Sequence, residues 1–241
     1  RKHMRFLFYL ICICIACAGY AADINDTLYI QKARTINSDS TKVQCDTIIR
    51  LCDADYRRVA EELGIEVATM KSVVEVEAGI THKGFCEPKK PILNFDVTIF
   101  KKFLRKKGFN YKKHLNKEAF KKINIRKYES YCKAQWARFE SACKIDSTSA
   151  KEASFWGMFQ IGGFNWKKCG CSSINEFIQK MSESEAMQLE LFAQYCINNN
   201  LVKYIQKKDW HGFSYRYNGP SYKSKGYHKK LKSAYKKHKI K

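Results

Sequence analysis

The stretch Val67 to Gly79, VATMKSVVEVEAG, constrains the fold more than any other part of the chain. Met70, Val73, Val74 and Glu77 recur at the i, i+3, i+4, i+7 spacing of one buried helical face. A carboxylate thus takes the last place on an apolar stripe. Glu75 lies about 140° of helix rotation from Met70, so it is expected to look outward. Gly79 is the expected helix stop. A carboxyl set among valine and methionine has its charged form disfavoured, which raises its pKa and keeps it protonated near neutrality. That is the state a general acid needs to protonate a glycosidic oxygen. The competing reading of Glu77 is a solvent-edge residue that merely flanks the stripe.

A chain of 241 residues with 45% hydrophobic and 14% aromatic content suits one globular domain, or one domain with an appendage. Its 45 Lys and Arg against 23 Asp and Glu leave a net charge of +22, which calls for an anionic partner: nucleic acid, lipid surface or cell-wall polymer. The start of the chain helps to choose. Arg1, Lys2 and Arg5 precede an apolar run from Phe6 to Ala18, followed by the small residues Gly19, Ala21 and Ala22. This is the pattern of a secretory signal, too short for a comfortable membrane span, with cleavage expected after Ala21. A lipoprotein form lipidated at Cys17, or an uncleaved tether, are the alternatives. Export to the periplasm or the extracellular space argues against nucleic acid as the natural partner.

Cys12, Cys14 and Cys17 leave with the signal, and Cys45, Cys52, Cys86, Cys132, Cys143, Cys169, Cys171 and Cys196 remain. An even set in an exported protein points to disulfides of unspecified pairing. On one continuous helix Cys132 and Cys143 share a face too far apart to bridge each other, though each can reach another element. Cys169 and Cys171 lack the paired-ligand spacing of zinc modules, so no metal is expected. With no phosphate-cradling glycine loop, no cofactor is expected either.

The expected division is a signal peptide over 1–21, a flexible lead-in over 22–50 and one domain over 51–241. Within the domain, Asp53 or Asp55 is placed to cap a helix closed by Gly64. Pro88 and Pro91 exclude a helix after Gly79, and 92–100 reads as a short extended piece. Lys101 to Lys127 reads as a solvated basic surface with Phe103, Phe109, Tyr111 and Phe120 turned inward, and Tyr128 to Cys143 as a helix. Ser149 with Glu152, Ser173 with Glu176 and Ser182 with Glu185 have the form of capping boxes, the first opening a helix toward Trp156. Asp209 caps a helix that stops at Asn218-Gly219-Pro220, and a basic helix with Tyr227, Leu231 and Ala234 follows. At least six helices with scant strand signal make the chain mainly α.

Four segments, in order, resemble the N-acetylmuramidase domain of phage endolysins and bacterial wall hydrolases. They are ADYRRVAEELGIEVATMKSVVEVEAG (54–79), PILNFDVTIF (91–100), ASFWGMFQIGGFNWKKCG (153–170) and DWHGFSYRYNGPSY (209–222), and the likeness spans about residues 50–238. The resemblance implies a lysozyme-like helical domain with at most a small strand region. It implies cleavage of the peptidoglycan glycan beside N-acetylmuramic acid. The protein is expected to be a monomer, and its net charge of +22 is expected to concentrate it on an anionic cell-wall surface. The catalytic glutamate then falls in Val76-Glu77-Ala78, with Ala78 where serine is usual, and Trp156, Gly157, Gln160, Tyr217 and Asn218 are implied to line the sugar cleft. Three positions depart from the pattern: Asn94 sits inside the usual I-L-F-E motif, Thr98 stands where histidine is common, and Phe155 is added between Ser154 and Trp156.

Glycoside hydrolysis normally uses two carboxylates. With Glu77 as acid, Asp96 is the preferred partner over Glu87 and Glu75, its competing role being a helix cap or turn. A single-acid route is the alternative: the 6-hydroxyl of the substrate attacks and a 1,6-anhydro end results. A non-enzymatic cationic wall or membrane binder is the competitor from another class. Trp136 reads as core; Trp156 and Trp166 are divided between core and sugar stacking, and His82 between substrate contact and surface loop.

Overall fold

The computed structural model describes residues 48–79 and 83–240. The expected signal segment, most of the lead-in, Cys45 and His82 lie outside the described residues. The last residues of the expected lead-in are held in place: Ile49 O accepts from Glu185 N at 3.1 Å and Arg50 Nη1 lies 2.7 Å from Glu185 Oε1.

Helix α1 spans Asp53–Glu62 and follows Cys52, whose backbone N donates to Asp55 Oδ2 at 2.9 Å. Asp55 therefore supports the helix start from its first turn, and the cap position belongs to Cys52. Gly64, at φ +61°, turns the chain into α2, Val67–Glu77. Val59, Ala60 and Leu63 of the first helix region and Met70, Val73 and Val74 of the second are all buried in one core. The stripe thus packs as its spacing predicts. Glu75 does not look outward: it is half-buried and meets Lys237 Nζ at 3.0 Å and His238 Nε2 at 2.7 Å.

The strand region is small. β1 (Phe85–Glu87) pairs antiparallel with β2 (Lys90–Pro91); β3 (Leu93–Phe95) pairs antiparallel with β4 (Ser154–Trp156), which pairs with β5 (Ile161–Gly162). The extended piece expected over 92–100 is shorter than its apolar run. Asp96 Oδ1 accepts from Thr98 N at 2.7 Å and Ile99 N at 2.9 Å, which opens α3 at Val97–Lys106. The lysine-rich segment continues through 3-10 turns at Tyr111–His114 and Glu118–Phe120 and a short α4, Ile125–Tyr128. Phe103, Phe109, Tyr111 and Phe120 pack against the core while the lysines stay at the surface.

Helix α5 spans Tyr131–Glu152, beginning later and ending later than its periodicity predicts, and bends at Asp146 (φ −155°, ψ 103°). Ser149 therefore lies inside the helix and opens nothing; Asp146 Oδ1 accepts from Ser149 N at 2.8 Å and recaps the chain beyond the bend. Residues 154–156 join the sheet instead of a helix. A disulfide joins Cys86 of β1 to Cys132 of α5, and Cys52, Cys143, Cys169, Cys171 and Cys196 are free thiols.

A 3-10 segment, Gly163–Cys169, leads to α6 (Ile174–Met181), capped by Ser173, and α7 (Glu185–Asn198), capped by Ser184. Ser182 ends α6, so the box expected with Glu185 does not form. The reason is that Glu185 is engaged elsewhere. It is 2% exposed, and its carboxylate accepts from Arg50, from Leu51 N at 3.1 Å and from Gly84 N at 2.9 Å. One turn on, buried Gln188 accepts from Met158 N at 2.9 Å and donates to Gly84 O at 3.2 Å and Met181 O at 2.9 Å. Helices α8 (Val202–Gln206), α9 (Trp210–Asn218, capped by Asp209) and α10 (Tyr227–Lys239) complete the domain, with α10 packed along α2. Among the described residues no helix is long and apolar enough to cross a membrane.

Removing the Glu185 carboxylate leaves buried donors without acceptors, whereas Arg50 is half exposed. Glu185→Ala is expected to cost about 3 kcal/mol of stability and Arg50→Ala less than about 1 kcal/mol, as read from urea unfolding midpoints.

Candidate active site

A groove of about 530 Å³ runs between the end of α2, the β4–β5 turn, α7, the end of α9 and the start of α10. Glu77, the last residue of α2, lies in it with Gln160, Asn165, Tyr195, Tyr217, Asn218 and Tyr227, and with an apolar wall of Phe155, Phe159, Ile161, Gly162 and Phe164. Glu77 is half-buried, and burial pushes its carboxyl up to about 7. Asn218 Nδ2, which donates to Glu77 Oε1 at 3.0 Å, and the positive charge of Lys230 both pull the other way without cancelling it. Its place at a helix C-terminus, where backbone carbonyls gather partial negative charge, disfavours the anion further. The stripe of Met70, Val73 and Val74 supplies one side of the apolar shield, as the helical spacing predicts.

Tyr217 and Asn218 stand at the end of α9. The Tyr217 hydroxyl donates to Phe159 O at 2.9 Å, and its ring stacks on Phe213 with centroids 5.5 Å apart. The phenol is shielded and held well above its ordinary pKa by burial, so Tyr217 is a rigid wall rather than a proton carrier. Gln160 sits at the β4–β5 turn with φ +50°, a left-handed conformation that costs a non-glycine residue roughly 1 kcal/mol or more. Its side chain is held at both ends: Nε2 donates to Gly157 O at 2.8 Å, and Oε1 accepts from Asn94 Nδ2 at 2.5 Å. Asn94 Oδ1 in turn accepts from Gln135 Nε2 at 3.2 Å, and that amide also reaches Tyr131 Oη at 2.8 Å. A polar chain from α5 thus aims the Gln160 amide.

The structure brings Glu77, Gln160, Tyr217 and Asn218 together and leaves three expected site residues outside the groove. Asp96 spends its carboxylate on the two N–H groups that start α3, and is a helix cap. Trp156 is fully buried, with its indole N–H donating to Lys151 O at 3.0 Å and its ring edge-on to Trp136 and Phe139. It is core because β4 directs alternate side chains to opposite faces, and Phe155 takes the groove face. Gly157 is buried beneath the groove: its φ is +70°, and a Cβ there would come within 2.8 Å of Gln188 Oε1. Its role is to let the chain turn tightly over α7. Trp166 is half-buried and does not line the groove, and Trp136 packs into the core as expected.

Of the other carboxylates weighed as partners, Glu87 pairs with Lys90 in the β1–β2 hairpin and Glu75 with α10. Among the described residues lining the groove, Glu77 is the one carboxylate. Phe155, Phe159, Phe164 and Asn165 also line the groove, and because their spacing follows neither a strand nor a helix period their nearness to Gln160 is the one signal the sequence holds for them. Tyr195 and Tyr227 carry no local signal, because packing of α7 and α10 alone turns them to the groove. Among the described residues no cluster of three or more His, Cys, Asp or Glu is placed to hold a metal ion.

The family profile described as N-acetylmuramidase matches residues 66–239. No curated protein sequence matches the chain. Among solved structures, the crystal structure of the Burkholderia AP3 phage endolysin is similar at 31% identity and a TM-score of 0.68, over 79% of this chain and 71% of that one. A profile match that covers most of the chain, joined to this fold, makes the relationship one of family: the chain belongs to the N-acetylmuramidases and is a lysozyme-type glycoside hydrolase acting on peptidoglycan.

Proposed function

We propose that the enzyme cleaves the β-1,4 bond between N-acetylmuramic acid and N-acetylglucosamine, with Glu77 as general acid. The observation that carries the proposal is a carboxyl in a groove walled by aromatic rings and amides, its pKa pushed up by burial to about 7 so that it keeps its proton below neutrality. Asn218 donates to Oε1, which leaves Oε2 as the oxygen that carries the proton. A glycan strand seated there meets Gln160 and Asn165 as hydrogen-bonding groups, and Tyr195, Tyr227 and the phenylalanines as flat apolar surfaces. Proton transfer from Glu77 to the bridging oxygen breaks the glycosidic bond and releases the leaving sugar as positive charge develops on the ring. Water then adds to the ring carbon, returns a proton to the Glu77 carboxylate and leaves a reducing-end muramic acid. Export, supported by the basic start and apolar run before Ala22, places the enzyme where its polymer is. The net charge of +22 draws it to an anionic wall surface, an attraction that weakens with salt.

A second reading has a specific observation behind it. With Asp96 acting as a helix cap and no other carboxylate lining the groove among the described residues, a single acid is available. Attack by the substrate's own 6-hydroxyl needs no activated water and leaves a 1,6-anhydro end. Mass analysis of digested peptidoglycan separates the two: the hydrolase reading expects reducing-end muramic acid, and a 1,6-anhydro end overturns it.

Glu77→Gln removes the transferable proton while barely changing shape or charge. Its kcat/KM on peptidoglycan is expected to fall by about 10³-fold, and wall clearance at the wild-type rate would leave Glu77 without the role of acid. Because catalysis needs the protonated form, kcat/KM of the wild type should decline as pH rises through about 7. The sign for stability follows. The folded pKa of about 7 lies above the ordinary 4.5, so Glu77 contributes stability that is complete below pH 4.5 and lost as pH rises through 7. Thermal melts should therefore show Glu77→Gln gaining on the wild type at pH 8 relative to pH 4.

A further inference from the structure

A second groove, of about 520 Å³, opens beside the first. Its floor is Val76 and Ala234, exposed Gly79 and Ser233 stand at its edge, and its rim carries Glu75, Lys230 and Lys237. The two grooves are neighbours by construction. Val76 and Gly79 flank Glu77 in the chain, and Tyr227 of the first groove stands three residues before Lys230 of the second, about one turn of α10. Lys230 is close enough to Glu77 to act on its carboxyl electrostatically.

The charges on the rim are not equivalent. Glu75 is already satisfied by Lys237 at 3.0 Å and His238 at 2.7 Å. Lys230 makes no ion pair among the described residues; its ammonium lies 5.5 Å from the centre of the Tyr227 ring. Lys229, Lys232 and Lys236 stand on the same helix and add to the positive field, with no acidic residue on α10 to offset it. The second groove therefore offers an apolar floor and, one turn from the sugar-facing wall, a lysine with no ion-pair partner among the described residues.

Peptidoglycan has a matching part. Each muramoyl unit bears, through its lactyl ether, a short peptide with aliphatic side chains and free carboxylates, which must leave the strand sideways near the bond that is cut. We propose that the second groove receives this acidic stem peptide from the muramoyl unit next to the scissile bond, with Lys230 as the partner of a stem carboxylate. The proposal rests on the muramidase reading and adds that the enzyme selects peptide-bearing glycan. The alanine and valine floor suits the small aliphatic side chains, and Lys230 supplies a charge-assisted hydrogen bond.

The test compares two polymers: peptidoglycan strands bearing their stems, and the same strands stripped of peptide by an amidase. Scission is counted by size-exclusion chromatography, which registers hydrolysis and anhydro formation alike. Lys230 also lowers the Glu77 carboxyl, so a change common to both polymers reports that effect and only the ratio of the two kcat/KM values reports the stem. In full-length enzyme, Lys230→Gln is expected to lower the ratio of peptide-bearing to stripped strands about fivefold, the scale of one partly exposed charge pair. Lys230→Arg should keep it. Equal slowing on both polymers, or no preference for stems in the wild type, would overturn the second groove while leaving Glu77 as acid. A wild type that cuts neither polymer would overturn the muramidase reading, and this proposal with it.

Discussion

Two buried side chains on one turn of α7 hold the groove in shape. Glu185 and Gln188 both bond to Gly84, one to its N–H and the other to its carbonyl, and Gln188 also takes the N–H of Met158. The segment leading into the β1–β2 hairpin and the turn that carries Gln160 are thereby fastened to the same helix. That helix also presents Tyr195 to the groove. Buried polar groups are costly unless satisfied, so once these bonds form the alternatives are poor. Gly84 and Gly157 are the close approaches that let the backbone reach Gln188, since a Cβ at either would come within 3 Å of that amide.

On this frame the chemistry of Glu77 is a contest among opposing effects. Desolvation and the helix C-terminus favour the neutral acid; the Asn218 amide and the Lys230 charge favour the anion. Desolvation wins, but by a margin that leaves the group near neutrality instead of locking it protonated. A deeper site would hold a proton too firmly to give up, and an open one would lose it to water. Asn218 also orients the carboxyl, so the group that opposes burial electrostatically aids it geometrically.

Two of the three departures that the resemblance points to are neighbours in space. Asn94, inside the usual I-L-F-E motif, and Phe155, added before Trp156, face each other across the β3–β4 ladder. A single extra residue on one strand would slip the register and turn the flanking side chains to the wrong face. A residue on each strand keeps the ladder intact. Both also bear on the groove: Asn94 bonds to Gln160 and Phe155 lines the wall. In the linear chain they read as two unrelated irregularities.

The sequence by itself determined what depends on neighbours a few residues apart. The 67–79 stripe, the Ser173 and Asp209 caps, the inward aromatics of the lysine-rich segment and the burial of Glu77 were all legible, because helical spacing decides which side chains share a face. It misread Ser149, Ser182 and Glu75, whose sequence patterns are local but whose partners are not: a bend at Asp146, the engagement of Glu185 and the packing of α10 overrode them. Tertiary structure alone decided that Asp96 stays outside the groove, that Trp156 is core and that Tyr195 and Tyr227 line the groove. Each depends on which way an element turns when it packs, a matter of long-range contacts that no short window of sequence contains.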